Sequence, residues 1–350
     1  MPSHRRKDRC PDNEASTLHP PRRPLMKTFP RLLAQTCALL FSVLLPFASS
    51  SAAEAYPDKP IRMIVPFPPG GASDNLARGL ASEMGKRLGQ SIVIVNKPGG
   101  GTVIASGFVA NSPPDGYTLL WIAPPYAINA TLMKSLPYDT KTSLVSVCDI
   151  ASSPMLVTVN KSANIKTLAE LVARAKQKTL TYGSSGVGGT PHLATVMFEN
   201  AVGAKMTHIP FQGSAPAVTA LLGGQVDVVV DTPLSTLPQI NAGNLVALAQ
   251  TGATRLPLVP NIPTLQELGI KGYEANTWFA VMAPAATPKP IVAQLNKVMN
   301  EIVHDPRFRE TFANQGLVMM GGSPQEAADR LNREISRWGE AVRISGASVS

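Results

Sequence analysis

Short apolar runs alternate with helical patterns along most of this 350-residue chain, and this alternation limits the possible folds more than any other feature. We predict strands at 61–65, 92–95, 118–121, 179–182, 206–209, 226–230 and 245–249. We predict helices at 73–88, 101–110, 167–177, 190–200, 214–222, 288–303, 306–314 and 324–343. Strands that alternate with helices are typical of α/β proteins with largely parallel sheets.

Two extended segments, Ser153–Asn160 and Thr277–Ala285, bracket the middle of this series. They predict two chain crossings between two α/β lobes, with lobe 1 at 56–155 and 277–350 and lobe 2 at 156–276. Two crossings form a natural hinge, and small ligands usually bind in a cleft between lobes. The sequence therefore predicts a two-lobed α/β fold with a ligand cleft.

The first 55 residues have the composition of an export signal. From Met26 the chain has a basic start, an apolar middle and small residues up to Ala55. This pattern predicts a secretory signal peptide at 26–55, cleaved near Ala55, and hence a periplasmic protein. Residues 1–25 are polar and rich in proline, which suits either a disordered extension or a start codon assigned too early. Two adjacent arginines upstream of Met26 leave the twin-arginine export route open.

The charge argues against a nucleic-acid partner, and the cysteine content excludes an intramolecular disulfide beyond residue 55. The whole chain has a net charge of +9, but beyond residue 55 it has 24 Lys and Arg against 19 Asp and Glu, a net charge of +5 without a basic run. A nucleic-acid partner is therefore not predicted. Cys148 is the one cysteine beyond residue 55, so an intramolecular disulfide is excluded there.

The first candidate site is the stretch IVPFPPGGASDNLAR, Ile64–Arg78, which joins a strand to a helix. Its glycines let backbone approach a ligand, and Ser73 or Asp74 is predicted to cap the helix while the first N–H groups point at an anion. The alternative is an ordinary capped turn. The candidate ligand-binding residues are Phe67, Pro69, Gly70, Gly71, Ser73 and Asp74.

A second turn of the same kind is TYGSSGVGGTPHLA, Thr181–Ala194. Thr190 is predicted as the N-cap of the following helix and Pro191 as its first residue. Two bare turns that face one cleft would hold a carboxylate through N–H and hydroxyl groups, without a lysine or an arginine. The candidate ligand-binding residues here are Ser184, Ser185, Gly186, Gly188, Gly189, Thr190 and His192.

Three more turns are candidates for completing the pocket: Asn96–Ser106, Phe211–Ala217 and Val226–Pro233. Asp231 follows an apolar strand in the last of these. It is either a solvated strand end or a polar contact to the ligand, and we include it among the ligand-binding candidates.

Catalytic and metal-binding patterns are absent from the sequence. It contains no HExxH motif, no paired CxxC, no phosphate loop and no GxSxG elbow. We therefore predict no metal, no cofactor and no enzymatic activity. The alternative is a hydrolase that uses Ser185, His192 and Asp231, which would have to meet in space.

Together these stretches resemble the tripartite tricarboxylate transporter substrate-binding family, also called the Bug receptors. The matching segments are YPDKPIRMIVPFPPGGASD, NKPGGGTVIASGFVANSPPDGYTLL, LPYD, TYGSSGVGGTPHLA, IPFQGSAPAVTALLGGQVDVVVD, PTLQELG and WFAVMAPAATPKPIV, followed by the closing helix with Glu334 and Trp338. The resemblance extends over the whole chain from Tyr56.

The resemblance implies a type II-like periplasmic binding protein that captures a small carboxylate for the membrane permease subunits of a tripartite tricarboxylate transporter. The carboxylate would lie against Pro69–Asp74 and Ser184–Thr190. We expect a monomer. Dicarboxylates, tricarboxylates, acidic amino acids and aromatic acids all remain open as ligands. A receptor that reports to a sensor kinase would have the same sequence.

The export signal gives a direct prediction. Expressed in a Gram-negative host, the protein should be recovered from the periplasm without residues 1–55, because the signal peptidase removes the apolar segment. Intact-mass measurement of the periplasmic fraction checks this. A membrane-bound protein that keeps the apolar segment would contradict it.

Overall fold

The computed structural model describes residues 56–349, and these residues form eleven strands in two sheets. The strands are β1 (Ile61–Val65), β2 (Ile92–Asn96), β3 (Thr118–Ile122), β4 (Leu144–Pro154), β5 (Leu156–Asn160), β6 (Leu180–Ser184), β7 (Met206–Pro210), β8 (Val228–Asp231), β9 (Leu245–Gln250), β10 (Asn276–Pro284) and β11 (Val318–Met319). The first sheet has the order β11-β4-β10-β3-β1-β2 and the second β7-β6-β8-β5-β9. We call the part of the chain around each sheet the first and the second lobe. The predicted signal peptide lies outside the described residues.

Ten α-helices accompany these strands in the described part of the chain. They are α1 (Ala72–Leu88), α2 (Val103–Ala110), α3 (Pro124–Leu132), α4 (Leu168–Gln177), α5 (Thr190–Val202), α6 (Ser214–Leu222), α7 (Pro233–Asn241), α8 (Lys289–Val303), α9 (Pro306–Ala313) and α10 (Pro324–Ser345). None of them is both long enough and apolar enough to cross a bilayer.

The two sheets have the same connection pattern. β1 pairs in parallel with β2 and β3, as β6 does with β7 and β8. An antiparallel strand lies beside each parallel set, β10 next to β3 and β5 next to β8. In each lobe, the carboxyl ends of three parallel strands therefore meet at one edge, which is where ligands bind in open α/β sheets. The two glycine-rich turns follow β1 and β6, so they hold equivalent positions in the two lobes.

The sheets are mixed, and the prediction of largely parallel sheets is wrong in this respect. Four strand pairs are parallel and five are antiparallel among the described residues. Four of the five antiparallel pairs come from the crossing strands, because β10 and β5 enter their sheets in the reverse direction. The fifth joins the short β11 to β4.

Most predicted elements agree with the structure to within a few residues at each end. The sequence reading missed α3 and α7, which begin with prolines, and α7 has a further proline, Pro238, in its interior. It also missed most of β4 and the short β11. The predicted single extended segment Ser153–Asn160 is in fact the end of β4 and the whole of β5, which lie in different sheets.

The two chain crossings lie side by side. Asn276 at the start of β10 pairs with Pro154 at the end of β4, next to the one-residue passage into β5. Thr251 connects both crossings, because its hydroxyl accepts from the Met155 N–H (2.7 Å) and donates to the Ala275 carbonyl (2.5 Å). Thr251 is completely buried. The residue bounds of the two lobes stay a prediction.

The C-terminal helix α10 packs against both lobes, since it contacts β4 and α3 in the first lobe and α5 in the second. Glu334 on this helix accepts hydrogen bonds from the indole N–H groups of Trp278 and Trp338, both at 2.7 Å. Trp278 is therefore a core residue with its polar atom satisfied. Cys148 is also buried, and burial raises the pKa of its thiol to about 12.

Thr251→Val should lower the free energy of unfolding by about 1 to 3 kcal/mol, because it leaves the buried Met155 N–H without an acceptor. Thr251→Ser keeps the hydroxyl and should cost clearly less. Urea unfolding of both variants measures the difference. Equal stability of the Val and Ser variants would contradict the role of this hydroxyl.

Candidate functional site

A cavity of about 370 Å³ lies where the strand ends of the two lobes meet. Its wall includes residues that follow β1, β3, β6 and β8, together with Ser153 and Thr277 from the crossings. Phe67, Phe279 and Leu317 supply apolar surface. A cavity of this size suits a small organic molecule.

Five helices begin at this cavity, and within residues 56–349 none of the five has a side-chain cap. They are α1, α3, α5, α6 and α7, with the N-cap residues Gly71, Ala123, Gly189, Gly213 and Thr232. Of the five other α-helices of the described chain, α4, α9 and α10 are capped by the side-chain oxygens of Thr167, Asp305 and Ser323, whereas α2 and α8 also lack a side-chain cap.

A helix without a cap leaves the N–H groups of its first turn available to an anion, except where the residue is a proline. Ala72 and Ser73 of α1 and Thr190 of α5 have such N–H groups. The first two residues of α3, Pro124 and Pro125, and the first residue of α7, Pro233, have none.

The predicted caps are therefore wrong. Neither Ser73 nor Asp74 caps α1, because the helix already begins at Ala72 and Gly71 is the N-cap. Thr190 is the first residue of α5 and Pro191 the second, one position later in the helix than predicted. Both turns end in a glycine, which has no side chain to accept from its own helix. The first-turn N–H groups of α1 and α5 are therefore available to a ligand in the cavity.

Asp74 lies outside the cavity and holds the glycine-rich turn after β1 in place. Its carboxylate accepts from the Gly70 N–H (2.9 Å), Arg78 Nε (2.8 Å) and Asn96 Nδ2 (2.8 Å). Burial alone would raise the pKa of this carboxyl, but the hydrogen bonds from Arg78, Asn96 and Gly70 outweigh it and lower the pKa to about 2. Gly70 has φ +87°, a conformation that favours glycine. Asp74 thus fixes the turn that presents Ser73 to the cavity.

A stack of two histidines supports the second turn. The rings of His192 and His208 lie 4.0 Å apart between centroids, nearly parallel, and Tyr182 stacks on His208. The Gly188 N–H donates to Nδ1 of His192 (3.0 Å), and the Ser184 hydroxyl bonds Nε2 of His208 (2.6 Å). Gly188 has φ +72°, and a Cβ there would meet the Leu132 side chain at 2.7 Å. Nδ1 of His192 is therefore an acceptor that holds the turn, and burial lowers the pKa of both imidazoles.

The predicted site residues fall into two groups. Those that line the cavity are Phe67, Ser73, Ser185, Gly189, Thr190 and Asp231. Those that do not line it are Pro69, Gly70, Gly71, Asp74, Ser184, Gly186, Gly188 and His192. Several members of the second group shape the turns, as shown for Asp74 and His192. Contact of any of these residues with a ligand stays a prediction.

Of the three additional turns, two contribute to the cavity and one does not. Ser214, in Phe211–Ala217, follows β7; in Val226–Pro233, Asp231 ends β8 and Thr232 follows it. The glycines of Asn96–Ser106 do not line the cavity; the carbonyl of Gly101 instead accepts from Asn129 Nδ2 at 2.7 Å.

Sequence reasoning missed the wall formed by α3. Ala123, Pro124 and Pro125 line the cavity directly after β3, in the position that Thr232, Leu234 and Ser235 hold after β8. The signal was the strand TLLWI followed by APP, the same strand-to-helix logic as in the two glycine-rich turns. Ser153, Thr277 and Gln315 also line the cavity, but they do not lie in a strand-to-helix turn, so this signal could not predict them.

The electrostatics of the cavity come from backbone rather than from basic side chains. No lysine or arginine of the described chain lines it, and Asp231 is its one ionisable lining residue. Burial raises the pKa of Asp231, although hydroxyls of Ser214, Thr232 and Ser235 and the Thr232 N–H favour the ionised form. Within residues 56–349 no cluster of three or more His, Cys, Asp or Glu is placed to hold a metal ion.

The structure does not assemble the hydrolase alternative. Nδ1 of His192 is taken by the Gly188 N–H, and His192 does not line the cavity with Ser185 and Asp231. Among the described residues, Oδ1 of Asp231 accepts from its neighbour Thr232 rather than from a histidine. The nucleophile, base and orienting acid of a triad are therefore not linked.

The histidine stack predicts how stability depends on pH. Burial, with a smaller contribution from His208, lowers the pKa of His192 from its ordinary value of 6.5 to about 4. As the pH falls, the unfolded chain binds the proton first, so stability decreases between about pH 6.5 and pH 4 and His192 causes no further loss below that. The contribution is roughly 3 kcal/mol.

His192→Asn removes this titration and keeps an acceptor near Gly188, so its stability should change less than that of the wild type between pH 6.5 and pH 4. Urea unfolding across this range measures it. His304→Asn, at an exposed site after α8, is the control and should follow the wild type. Identical profiles for His192→Asn and the wild type would contradict the assignment.

Comparison with known proteins identifies the relatives of this chain. The model of the "Tripartite tricarboxylate transporter family receptor" matches residues 76–346. Protein BugT of Bordetella pertussis is 38% identical over 306 residues, which cover 86% of this chain and 94% of BugT.

Two solved structures show the same architecture. "R. palustris Rpa4515 with adipate" has a TM-score of 0.74 and 35% identity, and the match covers 84% of this chain and 99% of that one. "MatC (Rpa3494) from Rhodopseudomonas palustris with bound malate" has a TM-score of 0.70 and 30% identity, with 82% and 100% covered.

These relatives confirm the predicted two-lobed α/β binding-protein fold. They also confirm that the chain is a receptor rather than an enzyme, since the matched family consists of solute-binding receptors that serve transport in the periplasm. The chain belongs to the tripartite tricarboxylate transporter receptor family.

Proposed function

We propose that this protein binds a small carboxylate in the cavity between its lobes and delivers it to the membrane permease subunits of a tripartite tricarboxylate transporter. The observation that carries the proposal is the set of helices that begin at the cavity without a side-chain cap. The protein would act in the periplasm, as a monomer and without a cofactor.

The backbone supplies what a carboxylate needs. The first-turn N–H groups of Ala72, Ser73 and Thr190 belong to uncapped helices of opposite lobes, and helix dipoles place partial positive charge at these ends. A carboxylate bridging both turns would stabilise the closed arrangement of the two lobes. The adipate and malate bound to the two solved relatives are carboxylates of a size that suits this cavity.

The alternative to transport is that the same binding event serves signalling. A receptor that reports to a sensor kinase needs the same cavity and the same closure. Transport of labelled ligand in cells that lack this protein separates the two roles, because a transport receptor is required for uptake and a signalling receptor is required only for the transcriptional response.

The direct test of carboxylate binding is a thermal-shift screen of the exported protein, followed by calorimetry. The panel should contain dicarboxylates, tricarboxylates, amino acids and aromatic acids, with the corresponding amides as controls. We expect at least one acid to raise the melting temperature and its amide to have no effect. Binding of uncharged compounds only would refute the proposal.

Thr190→Val should weaken the affinity for such a carboxylate about ten- to a hundredfold, because it removes a hydroxyl hydrogen bond to a charged group at nearly constant shape. Thr190→Ser keeps the hydroxyl and should bind within a few fold of the wild type. Calorimetry on variants with unchanged circular dichroism measures both. If the Val variant binds as well as the Ser variant, this hydroxyl does not contact the anion.

A further inference from the structure

Asp231 stands out among the acidic residues of the described chain. It ends β8 in the wall of the cavity and is 2% exposed. Its Oδ1 accepts from the Thr232 N–H (2.7 Å). Its Oδ2 is buried and has no hydrogen-bond partner among residues 56–349, and no other carboxylate oxygen there is in that state.

The other buried carboxylates have donors that account for their position in the fold. Asp74 is paired with Arg78, and Asp149 with Arg330. Glu334 bonds two indoles and Arg337, and Glu199 accepts from the Met206 N–H. Buried carboxylates normally have such partners. Asp231 differs from Asp74 and Asp149 because its donors are the Thr232 N–H and neighbouring hydroxyl groups, without a charged partner in the described chain.

The surroundings of Asp231 provide hydroxyl groups but no counter-charge. Ser214, Thr232 and Ser235 lie with it in the cavity wall, and no lysine or arginine of the described chain does. A cationic partner for Oδ2 would therefore have to come from the ligand. The same cavity has uncapped helix N termini, which favour a negative group on the ligand.

We infer that the ligand of this receptor is zwitterionic: its carboxylate lies at the uncapped helix N termini, and its protonated amine donates to Oδ2 of Asp231. This inference rests on the proposed function, because it specifies the class of carboxylate that the same cavity takes. Asp231 is then the residue that determines specificity. It accepts the amine in its ionised form, which the positive charge of the amine favours, and in that form it disfavours acids that carry a second carboxylate in place of the amine.

The test compares acids that differ only in the amine. The probes are γ-aminobutyrate with butyrate, glutamate with glutarate, and 4-(aminomethyl)benzoate with 4-methylbenzoate, each titrated by calorimetry into the exported protein. In the pairs that bind, we expect the amine-bearing acid to bind at least tenfold more tightly. This comparison needs no variant.

Asp231→Asn should then lower the affinity for the amine-bearing acid at least tenfold and leave its deaminated partner unchanged or improved. Asn keeps an acceptor for the Thr232 N–H, and the melting temperature verifies folding. Asp329→Asn, at an exposed position on α10 outside the cavity, removes the same charge and should change neither affinity.

Two results would overturn the inference alone. One is equal binding of both members of every binding pair. The other is tighter binding of glutarate than of glutamate, weakened by Asp231→Asn, which would make Asp231 a protonated donor to a second carboxylate. If no acid in the panel binds, the proposed function fails and this inference with it.

Discussion

The proposed binding site depends on helix N termini that no side chain of the protein caps. Each lobe places a strand, a glycine-rich turn and a helix at the same position of its sheet, and the turns after β1 and β6 open onto one cavity. Gly71 and Gly189 leave first-turn N–H groups without a side-chain acceptor, whereas α4, α9 and α10 are capped by Thr167, Asp305 and Ser323. The donors that would normally stabilise a helix end are therefore available to a ligand.

The two glycine-rich turns are held in place by hydrogen bonds with residues outside the cavity, and these residues differ between the lobes. In the first lobe, the ionised carboxylate of Asp74 bonds the turn backbone at Gly70 and is itself held by Arg78 and Asn96. In the second lobe, the support is a neutral His192 whose Nδ1 accepts from Gly188. Rigid turns matter because donors that are already oriented bind an anion without an ordering cost. Residues outside the cavity are thus required for its shape.

Much of this was predictable from the sequence, because strand and helix periodicity and the glycine-rich turns are local signals. The identity of the N-cap residues was not, since Ser73 and Thr190 have the chemistry of caps and only the start of the helix decides which residue takes that position. The prolines that begin α3 and α7 hid two helices, because proline marks turns as well as helix starts. Thr251, Ser153 and Thr277 come together through contacts between distant segments, which a sequence pattern does not encode. The role of Asp231 depends on burial and on the missing partner of one oxygen.

Binding of a carboxylate by backbone N–H groups of both lobes is measured most directly by ¹⁵N-resolved NMR. The experiment follows the proton chemical shifts of the backbone amides while a carboxylate that binds is titrated into the protein. Hydrogen bonds to a carboxylate move amide protons downfield. If the N termini of α1 and α5 hold the carboxylate, the largest downfield shifts occur at Ala72, Ser73 and Thr190, on both lobes and with the same saturation curve. Large shifts confined to other amides, or to one lobe only, would contradict it.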